Sequence, residues 1–215
     1  MTKVLLSEQL NGDFHNTYEN IISQLQDHHY AVTDDFFDDE LLQHLHQHIL
    51  ALYQADELKK AAIGKHFDEH IKTEIRGDYI QWINDKMPNE IELRFLNHIK
   101  QFINYLNRTC FMGILHKEFH FAVYPQGRFY KRHLDTFQND QRRKLSVVLY
   151  LNKDWSVNHG GELMIYTQTN NQENAIPILP KFGRLVIFES QILEHEVKPV
   201  KEDLRLSITG WLKVR

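Results

Sequence analysis

Along the first half of this chain apolar residues recur at helical spacing, and along the second half they alternate at the two-residue period of strands. Phe14, Tyr18, Ile21, Ile22 and Leu25 share one side of a helix read from Phe14 to Gln26. Tyr30-Ala31-Val32 follows as a short strand. Asp38 or Asp39 can cap a second helix running to about Tyr53, which turns Leu41, Leu42, Leu45, Ile49 and Leu52 inward. A third, from Glu90 to about Arg108, has a broad apolar side built on Ile91, Leu93, Phe95, Leu96, Ile99, Phe102, Ile103 and Leu106. From His116 onward the runs shorten and become β-rich: Phe119 to Tyr124, Leu145 to Leu151, Glu162 to Tyr166, Arg184 to Phe188, Glu194 to Val197 and Arg205 to Val214. Breakers such as Pro125-Gln126-Gly127, Asn158-His159-Gly160-Gly161 and Pro180-Lys181-Phe182-Gly183 separate them, and Thr167 to Asn174 reads as a polar loop. Helices first and antiparallel strands afterwards make an α+β chain, a two-sheet jelly roll with helices outside one sheet. Residues 1–115 form a helical N-terminal support and residues 116–215 the β core, one unit because no linker separates them.

With 215 residues, 42% of them hydrophobic, the chain can bury a substantial core. Its net charge of −4 and isoelectric point near 6.4 speak against nucleic acid or an anionic membrane as a partner. Cys110 is the only cysteine, so an internal disulfide is excluded and a thiolate zinc site is disfavoured. No apolar run approaches the length of a membrane span, and the stretch from Met1 to Phe14 lacks the pattern of a secretory signal. A reducing, cytoplasmic setting is the expectation.

His133-Leu134-Asp135, with His195 downstream, adds chemistry to this picture. Two imidazoles and one carboxylate occupy one face of a metal and leave the other open, which is the ligand set of non-haem Fe(II) oxygenases. A short His-x-Asp match is weak among 14 histidines. The setting strengthens it, because His133 follows Phe129-Tyr130-Lys131-Arg132 and His195 lies between Leu193 and Val197, both strand-like. In the last strand, alternation puts Arg205, Ser207, Thr209 and Trp211 on one face and Leu204, Leu206, Ile208 and Gly210 on the other. A buried Arg205 is suited to grip the far carboxylate of a 2-oxo acid in a bidentate fork. The plainer alternatives are coincidental core-edge histidines and a solvent-facing edge strand.

Other motifs carry less. His44, His46 and His48 read as a solvated face of the second helix. His66 and His70, and His116 and His120, have the spacing of a zinc-protease pair, but the glutamate in each is misplaced. Arg142-Arg143-Lys144 reads as a solvated basic loop.

Several further motifs stand in order: Ile75-Arg76-Gly77-Asp78 with Ile80 and Trp82-Ile83, Tyr124-Pro125, Arg132-His133-Leu134-Asp135, Tyr150-Leu151-Asn152-Lys153-Asp154-Trp155, Gly160-Gly161, Pro180-Lys181-Phe182 and His195-Glu196-Val197. Over about Ile75 to Trp211 the sequence resembles the prolyl-hydroxylase branch of the 2-oxoglutarate/Fe(II) dioxygenases, most of all the hypoxia-inducible-factor type. The resemblance implies a double-stranded β-helix with His133, Asp135 and His195 as iron ligands. Arg205 and Tyr150 would bind the distal carboxylate of 2-oxoglutarate, Tyr124 would point its hydroxyl to the metal-proximal end, and Thr209 would lie beside it. Val148, Leu163 and Trp211 would line the pocket. Asp78 and Arg143 would join a substrate loop near residues 73–86, which includes Arg76 and Trp82, to the barrel mouth. Fe(II), 2-oxoglutarate and O2 are the implied cofactor and cosubstrates, with ascorbate supporting activity.

The activity so implied is trans-4-hydroxylation of a prolyl residue in a protein substrate, with decarboxylation of 2-oxoglutarate to succinate and CO2. The sequence departs from the family pattern over Tyr53 to Lys72, in a shorter turn at Pro125 and in a connection from His195 to Arg205 one residue longer, differences that bear on peptide specificity and leave the metal chemistry intact. A small-molecule oxygenase acting on free proline or another metabolite is the enzyme alternative. A metal-binding sensor that does not turn over is the alternative from another class.

Overall fold

The structure is a computed structural model describing residues 2–61, 75–136, 142–169 and 172–214, with side chains from residue 15 onward. The His66–His70 pair and the beginning of the expected substrate loop lie outside the described residues. The helices are α1 (Thr2–His28), α2 (Asp39–Gln54) and α3 (Glu90–Thr109). The strands are β1 (Tyr30–Thr33), β2 (Lys59–Lys60), β3 (Tyr79–Trp82), β4 (His116–Tyr124), β5 (Tyr130–His133), β6 (Arg143–Tyr150), β7 (Leu163–Thr169), β8 (Gln172–Ile178), β9 (Leu185–Glu189), β10 (Glu194–Val197) and β11 (Arg205–Lys213).

Local chemistry sets the helix starts. Asp38 caps α2 by accepting from the Leu41 N–H at 2.8 Å. Asn89 and Glu92 close a reciprocal capping box at the start of α3. The inward face of α3 differs from the expected one at two places: Leu93 is 47% exposed, and Tyr105 joins the buried side. His48 is no solvated group either, since it packs against Phe121 and meets Glu92 at 3.5 Å, while His46 Nδ1 bonds the Leu151 carbonyl at 2.7 Å.

The strands form a seven-stranded sheet in the order β1-β9-β6-β11-β4-β3-β2 and a four-stranded sheet in the order β5-β10-β7-β8. Every pairing is antiparallel. This is the jelly roll, or double-stranded β-helix, that the strand pattern implied. The central strands of the large sheet are buried on both faces. Phe119, Phe121, Leu145, Val147, Leu149 and Ile208 join a core cluster with residues of α1, α2 and α3. Their alternates turn inward: Val148, Tyr150, Val186 and Phe188 meet Leu163 and Ile165 of β7. Each such side chain contributes about 1.5–3 kcal/mol on leaving water, and the helices keep the large sheet's outer face dry.

Two expectations change here. Residues 167–169 and 172–174 are strand, not loop: β7 and β8 pair from Leu163↔Ile178 to Thr169↔Gln172. The alternation there is faint because β8 is an edge strand, which also explains how it tolerates Pro177. The expected substrate loop contains β3, which pairs with β4 on one side and β2 on the other. The N-terminal part is therefore not purely helical, since β1, β2 and β3 all belong to the large sheet.

Candidate active site

β5 and β10 lie side by side, and their register sets His133 opposite His195 with ring centroids 4.3 Å apart. Asp135 follows just beyond β5 and reaches both rings. Its Oδ1 is 3.5 Å from His133 Nε2 and its Oδ2 3.6 Å from His195 Nε2. One ligand atom from each residue falls within 4.8 Å of the others, the one such cluster among the described residues.

The surroundings prepare these atoms for a cation. His133 Nδ1 donates to the Lys131 carbonyl at 2.7 Å, and His195 Nδ1 to that of Leu193 at 3.3 Å. With the proton held at Nδ1, each Nε2 keeps its lone pair for the centre. His133 Nε2 is buried and has no hydrogen-bond partner, a cost that a metal would remove. Burial pushes the His195 pKa down to about 4, so its ring is neutral at pH 7. Burial opposes charge on Asp135 too, but His195, His133 and a 2.7 Å hydrogen bond from Ser146 outweigh it and hold the carboxyl well below its usual range. Two imidazoles and one carboxylate fit a divalent metal with hard and borderline preferences, as Fe(II) has.

The triad opens into a cavity of about 590 Å³ between the sheets. Arg205, only 2% exposed, lines it from β11. Its Nε donates to the Gly161 carbonyl at 2.7 Å and its Nη2 to the Tyr150 hydroxyl at 3.2 Å. Gly161 has φ +68°, and a side chain there would press on Arg205 Cδ at 3.0 Å, so the Gly160-Gly161 motif serves the arginine's approach. Tyr124, Thr209, Val148, Leu163 and Trp211 line the same cavity. Tyr150 is fully buried beside that lining, its hydroxyl accepting from Arg205 Nη2.

The expected substrate-loop residues divide differently. Arg76, Trp82 and Arg143 border the cavity, and Trp82 is 52% exposed. Asp78 is buried away from it, with both carboxylate oxygens on Arg76. Arg143 meets Glu118 at 3.1 Å and lies 3.6 Å over the Trp211 ring. Sequence reasoning missed Ser146, Ser190, Tyr130 and His120. Ser146 holds Asp135 and is itself bonded to Ser190 at 2.8 Å. Tyr130 stacks on His133 at 3.7 Å, and His120 lines the cavity beside Trp82 and Trp211. A lone serine within the apolar run Leu145–Leu151 was the one signal available.

A jelly roll that buries a His-Asp-His cluster and an arginine in one interior cavity defines the 2-oxoglutarate-dependent class of non-haem oxygenases. The model of the 2OG-Fe(II) oxygenase superfamily matches residues 119–213. Human "Egl nine homolog 1" is 31% identical over 207 residues, covering 90% of this chain and 46% of that protein, so the chain spans about half the length of this curated relative. A Pseudomonas putida prolyl-4-hydroxylase structure is 34% identical with a TM-score of 0.80, covering 92% of this chain and 99% of that one. A Trichoplax adhaerens prolyl hydroxylase, solved with a hypoxia inducible factor peptide fragment, is 27% identical with a TM-score of 0.84, covering 95% and 92%. The chain belongs to the prolyl hydroxylases of the 2OG-Fe(II) oxygenase superfamily. Fe(II), 2-oxoglutarate and O2 are the cofactor and cosubstrates of that family.

Proposed function

We propose that this chain is a 2-oxoglutarate- and Fe(II)-dependent dioxygenase that hydroxylates a prolyl residue, at trans-4, in a protein substrate. The observation that carries this reading is the convergence of His133, Asp135 and His195 on one point, in the cavity that Arg205 also lines. In it, those three residues hold Fe(II), and the guanidinium of Arg205, steadied by Tyr150, takes the distal carboxylate of 2-oxoglutarate as a charge-assisted pair. Bound there, Fe(II) with 2-oxoglutarate and O2 supplies the oxidation that puts a hydroxyl on an unactivated ring carbon while 2-oxoglutarate becomes succinate and CO2.

The protein's share is placement and dryness. Val148, Leu163 and Trp211 wall the cavity with apolar surface that limits water beside the reacting carbon. Tyr124, whose pKa burial drives well above 10, stays a neutral hydroxyl and can only orient, not deprotonate. No general base is needed for hydrogen removal from carbon, so the site works without an acid–base pair. Residues 1–115 act as the N-terminal support of this single catalytic unit, and the half-exposed Trp82 at the rim is where a peptide would first meet the enzyme. A reducing, cytoplasmic environment suits both Fe(II) and the single exposed Cys110. No described helix is long and apolar enough to cross a membrane.

The test supplies the protein with Fe(II), 2-oxoglutarate, O2 and ascorbate and follows succinate and substrate mass. Peptide-dependent succinate, with a proline gaining the mass of one oxygen atom, supports the proposal. Equal succinate from free proline makes it a small-molecule oxygenase. Absence of O2 consumption with any proline-containing peptide or metabolite makes it a metal-binding sensor.

A further inference from the structure

The segment that carries Arg76 and Asp78 is built into the metal site's support. Its backbone flanks β5 on the side away from β10. The Gly77 N–H donates to the Phe129 carbonyl at 3.0 Å, the Lys131 N–H donates to the Ile75 carbonyl at 2.8 Å, and Arg76 bridges Tyr130 in antiparallel pairing. β5 is four residues long and would otherwise be a bare edge of the small sheet. Side chains repeat the contact. Asp78, fully buried, receives Arg76 Nε at 2.8 Å and Nη2 at 2.5 Å. The Arg76 guanidinium lies 4.5 Å from the centroid of the Tyr130 ring, and that ring is stacked on His133 at 3.7 Å and 19°.

We propose that Asp78, Arg76 and Tyr130 are positioning residues that hold His133 in ligand geometry, and that this is their principal task, ahead of any contact with substrate. The inference rests on the metal-centre reading above. A hydrogen bond from Nδ1 to the Lys131 carbonyl fixes the rotation of the His133 ring but leaves its tilt free. A flat ring pressed against it removes the tilt. A bidentate ion pair is directional, so the guanidinium that backs Tyr130 is itself held in place. His195 needs no such brace: β10 runs between β5 and β7, and the ring packs on Phe188 at 4.6 Å. The two histidine ligands are thus supported by different means, one by its place inside a sheet and the other by Tyr130 of its own strand, backed by the Arg76–Asp78 pair from the segment that leads into β3.

The test titrates the metal-free full chain with Mn(II), with neither peptide nor 2-oxoglutarate present, and records metal affinity by calorimetry and the bound-metal spectrum by electron paramagnetic resonance. Tyr130→Phe keeps the ring and should bind as wild type does. Tyr130→Leu should weaken binding by about 10- to 100-fold, the usual effect of removing a group that orients a ligand. Asp78→Asn should weaken it by less, and should add nothing further in the Tyr130→Leu background, because the ion pair acts through the ring. Thermal melting of each metal-free variant separates lost folding from lost binding, and Tyr130→Leu decides the question if Asp78→Asn does not fold. Unchanged metal affinity in Tyr130→Leu, with a raised KM for peptide, would overturn the brace and return the segment to substrate contact while leaving the metal centre intact. Failure of the wild-type chain to take up metal would overturn both readings.

Discussion

The two faces of the seven-stranded sheet are made by the same strands and do opposite things. On β11, Leu206, Ile208 and Leu212 enter the core shared with the helices. One residue out of phase, Arg205, Thr209 and Trp211 line the cavity. On β6, Leu145, Val147 and Leu149 face the helices, while Ser146 holds Asp135. The outer face is dry and apolar. The inner face buries an arginine, and around the cavity it looks into, Gln81 Oε1, His120 Nδ1, His133 Nε2 and Trp211 Nε1 are buried without hydrogen-bond partners. Each unmade bond costs roughly 1–3 kcal/mol. Chemistry on one face is thus carried by packing on the other, and the period of two lets one strand serve both.

Substitutions should separate the faces. The largest effect belongs to the cavity side: His133→Ala or Asp135→Ala should reduce 2-oxoglutarate turnover to background, measured as succinate, while the fold survives. A variant that still turns over would remove the assignment of these ligands. On the outer face, Ile208→Ala should cost about 2–5 kcal/mol of stability in denaturant unfolding, because it leaves a cavity in a fully buried cluster. Its KM for 2-oxoglutarate should be that of wild type, and a shifted KM would mean the faces are not independent. Arg205→Ala should raise that KM by roughly 10- to 100-fold, from loss of a charge-assisted pair worth about 1.5–3 kcal/mol. An unchanged KM would place the cosubstrate carboxylate elsewhere.

The smallest effect is one of pH. Unfolded, the His120 imidazole has an ordinary pKa near 6.5, and burial in the folded protein pushes it down to about 4; His195 shifts the same way. Between those values the unfolded chain binds protons that the folded chain does not. The stability this contributes is present above about pH 6.5 and is lost as pH falls towards 4. The melting temperature of metal-free protein should therefore fall over that window, and His120→Leu should flatten the fall. A His120→Leu profile parallel to wild type would assign the acid sensitivity to other groups.

Legibility in the sequence followed burial. Strands with a strict two-residue period, such as Leu204 to Trp211, could be read with their facing, since both sides of the strand are constrained by what they meet. The strands β3, β5 and β8 could not: none of them alternates between buried and exposed positions, and β8 carries Pro177. Within the substrate loop expected near residues 73–86, Tyr79–Trp82 is therefore a strand that the sequence pattern did not show, and Asp78 is buried. Tyr150, expected beside Arg205 on the cosubstrate carboxylate, has its hydroxyl bonded to the Arg205 guanidinium, a contact that motif spacing does not show.

By itself the sequence determined the chemistry on offer, namely two imidazoles, a carboxylate and an arginine in strands that bury one face, because ligand type and strand period are local properties. Only the tertiary structure decided which serine steadies Asp135, which ring backs His133 and which carboxylate holds the arginine beneath that ring. Arg76 and Asp78, and Tyr130 and His133, are near neighbours in the chain, but what brings the first pair against the second and Ser146 against Asp135 is strand order and register, which no local pattern encodes.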